Sequence, residues 1–144
     1  MKKLLGIVVL CLLLSGNAFA NDMIGKKIVC GEWASDTEII STKLPLDGYH
    51  FISKKKVIVY QMSDPGTGFY TDKRKYKIYS DEVVIKMSKG FEFNINRTSG
   101  IRRANNLKGT DVICRPLSDE KNMKKMFNKI HQFRLRTLKN NQKF

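Results

Sequence analysis

Acidic residues are scarce in this sequence: 13 Asp and Glu stand against 27 Lys and Arg over 144 residues, a formal net charge of +14. That imbalance disfavours basic partners and draws the molecule toward anionic ones. Histidine is limited to His50 and His131, and the three cysteines are Cys11, Cys30 and Cys114. Two distant histidines do not make a zinc centre, and three prolines exclude a Pro-rich linker. Long apolar runs are confined to 4–14, well short of the roughly 20 residues that cross a bilayer as a helix. What remains, 42% hydrophobic and 28% charged residues, is the balance of a globular chain with a single core.

The first twenty residues read as a secretory signal peptide, 1–20. Lys2 and Lys3 supply the positive start, 4–14 the apolar run, and Ala18 and Ala20 the small residues before a cut after Ala20. Leu10 is too large for the cleavage that would make Cys11 a lipid anchor, so Cys11 leaves with the signal. Loss of Lys2 and Lys3 brings the net charge of 21–144 to +12. The brief Lys-Lys start has a bacterial look, which directs the product to the periplasm or the medium. In that oxidising space the even pair Cys30 and Cys114 is expected to form a disulfide. A loop of about 85 residues closed in this way is stabilised by about 4 kcal/mol in the chain-entropy model.

Short β-branched and aromatic segments then recur about every ten residues: 26–33, 56–62, 74–79, 82–88, 91–96 and 110–116. The clearest alternation is Phe91, Phe93 and Ile95 against Glu92, Asn94 and Asn96, the pattern of a half-buried antiparallel strand. Turn residues separate the segments, as at Ser80-Asp81, Lys89-Gly90 and Thr98-Ser99-Gly100. The expected fold is mainly β: a small antiparallel meander barrel or sandwich of about six to eight strands over 21–117, with Cys30 and Cys114 joining its first strand to its last. A basic amphipathic helix and tail, 118–144, follows. Ser118, Asp119 and Glu120 suit a helix start, and Met123, Met126, Phe127, Ile130, Phe133 and Leu138 form an apolar stripe over 119–139. No acid follows Glu120. Lys124, Lys125, Lys129, Arg134, Arg136 and Lys139 are therefore the candidate anion-binding residues. The stripe either packs on the β part or stays free to seek an anionic surface, and packing is the expected outcome.

Gly31-Glu32-Trp33, at the opening of the meander, resembles the Gly-x-Trp element of lipocalin-like (calycin) barrels. The resemblance implies a barrel whose end is closed by Trp33, with a basic residue near the chain's end, such as Arg115 or Arg134, packed over the indole. It also implies a carrier of a small apolar ligand, lined by residues such as Val57, Phe91, Phe93 and Ile95. Along 69–79, Lys73, Lys75, Lys77 and Tyr79 alternate with Arg74, Tyr76 and Ile78. Such a strand can track a phosphate backbone, but an exported chain meets little nucleic acid and much anionic lipid and polymer.

Catalysis finds little support: His50, in the strand start Tyr49-His50-Phe51, and His131, on the helix shoulder beside Ile130, read as ordinary edge or surface histidines, and Glu32 is the one acid worth checking. The expected function is non-enzymatic, without cofactor or metal: an envelope binding protein whose basic surface meets anionic lipid or polymer. The alternatives are the small-ligand carrier, then a nucleic-acid-binding or inhibitor domain.

Overall fold

A computed structural model describes residues 23–35, 38–39, 46–62, 68–117 and 120–142. The expected signal peptide, 1–20, lies outside them, as do Ser118 and Asp119 of the expected helix start. The described chain is mainly β, a closed antiparallel barrel of eight strands followed by one helix. The strands are β1 (Lys27–Gly31), β2 (Asp47–Phe51), β3 (Lys56–Met62), β4 (Phe69–Ile78), β5 (Glu82–Ser88), β6 (Phe91–Asn96), β7 (Ile101–Ala104) and β8 (Leu107–Leu117). Each pairs with its sequence neighbour, and β1 closes the ring on β8. The helix, α1, spans Glu120–Asn141. Six of the strands and the helix match expected segments; of β2 only the strand start at 49–51 is expected, β7 is additional, and β4 begins five residues before the expected 74.

Alternation along each strand divides the side chains between the lumen and the outer wall. One cluster holds Cys30, Tyr49, Phe51, Val57, Val59, Tyr76, Val83, Ile85, Met87, Phe93 and Ile95, and these positions face the lumen. Phe51 and Tyr76 meet edge to face at 4.9 Å, and the Tyr76 hydroxyl donates to the Ser53 carbonyl at 2.6 Å. Cys30 and Cys114 are register partners on β1 and β8, and their disulfide joins the first strand to the last, as expected. At Gly100 (φ +71°), before β7, an added Cβ would lie 2.9 Å from the Cys114 carbonyl oxygen, so both the backbone conformation and the close approach require glycine.

The second cluster lies on the outer wall, where Val29, Tyr60 and Met62 meet Met123, Phe127 and Ile130 of α1. The helix therefore packs on the barrel. At Gly48 the approach is so close that a Cβ would sit 2.7 Å from the Met123 sulfur and 3.2 Å from the Phe127 ring. Burying each of these three helix side chains contributes about 2 kcal/mol. The buried face runs through Met123, Phe127, Ile130 and Arg134, at helical spacings of four, three and four. Phe133 and Leu138, expected in the stripe, turn outward and are exposed.

Candidate anion-binding surface

The outward face of β4 carries Lys73, Lys75 and Lys77, because its inward positions are taken by Asp72, Arg74, Tyr76 and Ile78. This is the alternation expected from the sequence, though Tyr79 falls just beyond the strand. Register adds what spacing alone could not show. Lys75 lies directly opposite Lys56 of β3 on one side and Lys86 of β5 on the other. Three lysines thus stand in a row across three neighbouring strands, and the row ends on β6 at Glu92, opposite Lys86. Lys56, Lys75 and Lys86 are all exposed. Like charges directly opposite on a sheet destabilise it, by a few tenths to about 1 kcal/mol per pair.

Beside this row the barrel wall parts. Only Lys75–Ile78 of β4 pair with β5, against Val83–Lys86, while the first six residues of β4 pair with β3 alone among the described strands. The gap forms a cleft of about 480 Å³ between β4 and the β5–β6 turn, lined by Lys73, Arg74, Lys75, Lys86 and Lys89, with Glu92 the one acid. Arg74 pairs with Asp72 on the inner side of β4. A smaller hollow of about 220 Å³, bounded by Lys55, Lys75, Tyr76, Lys77 and Lys86, continues the basic face.

On α1 the side chains of Lys124, Lys125, Lys129, Arg136 and Lys139 are exposed on the surface away from the barrel. Arg134 departs from the expectation. It is only 6% exposed and occupies the packing face that periodicity assigned to Phe133. Burial lowers its pKa from the ordinary guanidinium value. The guanidinium is therefore not part of the exposed basic surface.

Trp33 and Arg115 come together. The Arg115 guanidinium lies 5.2 Å from the Trp33 ring centroid, and the indole N–H donates to the Ile113 carbonyl at 2.9 Å. Trp33 packs against the second cluster. Of the residues named for a ligand space, Val57, Phe93 and Ile95 belong to the buried lumen cluster and Phe91 packs against it. A concavity of about 420 Å³ opens instead at the barrel end beside Met23, where Ile28, Val83, Ile95 and Pro116 meet the rim residues Lys26 and Arg97. His50 lies on β2, and His131 lies on α1 beside Gly68. Glu32 follows β1 directly and is exposed. No group of three or more His, Cys, Asp or Glu able to hold a metal occurs among the described residues.

The sequence reading missed Lys56, Lys86 and Lys89 as members of a site. Each lies in or beside a recognisable strand, but only the register of three strands brings them to Lys75. Comparison with protein-family models, curated proteins and solved structures gives no match, so geometry carries the functional reading.

Proposed function

We propose that this chain is a non-enzymatic exported binding protein whose basic surface holds it to anionic lipid or polymer of the cell envelope. In this reading 1–20 are removed on export, and the mature domain works in the periplasm or outside the cell. The Cys30–Cys114 disulfide is compatible with such an oxidising space. The observation that carries the reading is the row Lys56, Lys75 and Lys86, three cations set directly opposite one another. That repulsion weakens the sheet, whereas an anionic surface relieves it. The exposed cations of α1 widen the same attraction.

Near an anionic membrane each lysine contributes about 1 kcal/mol, within a Debye length of about 10 Å at 0.1 M salt. The test is co-sedimentation with vesicles of anionic or zwitterionic phospholipid at low and high salt. The reading expects association with the anionic vesicles only, weakening as salt rises. Equal behaviour toward both vesicle types would end it. Deleting α1 is a poor substitute, because it uncovers Val29, Tyr60 and Met62.

A second reading, a carrier of a small apolar ligand, is favoured by the concavity between Ile28, Val83, Ile95 and Pro116. Native mass spectrometry of freshly purified protein tests it by the presence or absence of added mass.

A further inference from the structure

The parting of β4 from β5 leaves main-chain groups as well as charge. The Tyr76 amide donates to the carbonyl of Lys55, the residue just before β3. In an antiparallel ladder, alternate residues bond to opposite neighbours. Residues 70, 72 and 74 therefore turn their N–H and C=O toward β3, while Thr71 and Lys73 turn theirs to the side from which β5 is missing. An open edge of this kind is a template for another extended chain. Lysine is the residue that commonly blunts such an edge, and Lys73, Lys75, Lys86 and Lys89 repel a basic strand and disfavour an apolar one. A strand bearing carboxylates is not repelled.

We propose that the cleft between β4 and the β5–β6 turn takes an extended acidic segment of a protein partner, which adds as a strand to β4 at Thr71 and Lys73. The proposal rests on the reading of this face as anion-binding and names one occupant for it. Alternation sets the pattern such a segment needs. Side chains on the outer side meet Lys73, Lys75 and Lys86, and carboxylates suit them. Side chains on the inner side meet Arg74 and Met87, where Met87 is buried and favours a small apolar residue. The preferred segment therefore alternates acidic and apolar residues. A second copy of this chain is a poor occupant, since both copies would carry the same lysines to the edge.

The test uses the full mature chain and a dye-labelled, end-blocked heptapeptide of alternating Glu and Val, followed by fluorescence anisotropy. Three comparisons accompany it: the same peptide N-methylated at the amides that would face β4, the Thr71→Pro variant, and anionic vesicles. Thr71→Pro removes an N–H from the open edge, where proline is tolerated, and unchanged circular dichroism would show that the variant folds. The expected result is binding of the plain peptide, with a loss of about tenfold or more on N-methylation and again in Thr71→Pro. Equal binding of both peptides would overturn strand addition and leave attraction by charge alone. Vesicle binding without peptide binding would overturn this inference while the envelope reading stands; binding to neither would remove both. A dimer in sedimentation that Thr71→Pro dissolves would make a second copy the occupant and overturn the acidic segment.

Discussion

Arg102 of β7 and Asp47 of β2 form a salt bridge inside the barrel, with side chains only 1% and 6% exposed. Their strands are not neighbours, so the pair crosses the lumen. The Arg102 guanidinium also lies 4.2 Å from the centre of the Phe93 ring. Burial raises the pKa of Asp47, and Arg102 opposes that rise.

Removing one partner strands the other charge in the core. Arg102→Met is therefore expected to cost about 3–5 kcal/mol in urea unfolding. The double variant Asp47→Leu with Arg102→Met is expected to recover much of that loss. Additive losses in the double-mutant cycle would show that the two residues act independently.

The same pair explains which strands were legible in the sequence. β3, β5 and β6 carry apolar residues at alternate inward positions, and their boundaries match the expected segments. β2 (DGYHF) and β7 (IRRA) send Asp47 and Arg102 inward, which breaks the apolar alternation, so only a strand start at 49–51 is legible for β2 and nothing for β7. Arg134 on α1 is a parallel case, a cation at an inward position that a periodicity of apolar residues assigns to solvent. Of the candidate site, the lysine face of β4 was legible from its period of two. The row through Lys56 and Lys86 was not, because strand register is a long-range property.

Alkaline pH is expected to weaken the fold through Tyr49. Burial, with the Asp47 carboxylate adding to it, pushes the Tyr49 phenol well above its ordinary value of 10.0. The folded chain then keeps a proton that the unfolded chain releases. The contribution is intact below about pH 10 and is lost as pH rises beyond it. Tyr49→Phe should flatten this slope in urea midpoints, leaving the smaller part from Tyr76, whose pKa burial also raises. An unchanged slope would mean that Tyr49 ionises freely.

Reduction of Cys30–Cys114 frees a segment with 84 residues of sequence separation and breaks the covalent tie between β1 and β8. The expected loss is about 4 kcal/mol. Denaturation with and without a reductant measures it. A loss under about 1 kcal/mol would show that the β1–β8 ladder holds the ring without the bridge.

Lys75 lies between Lys56 and Lys86, so neutralising it relieves two repulsions. Lys75→Thr is expected to raise stability by up to about 1 kcal/mol and at the same time weaken association with anionic vesicles. Stability and binding moving together in the same direction would contradict this account.

The most direct measurement is the partition coefficient onto anionic vesicles at about 0.1 M salt for the parent chain and for the triple variant Lys56→Gln, Lys75→Gln, Lys86→Gln. With about 1 kcal/mol from each lysine near such a surface, the account predicts a fall of at least about tenfold, with a urea midpoint equal to or above that of the parent. An undiminished partition coefficient in the folded triple variant would contradict it.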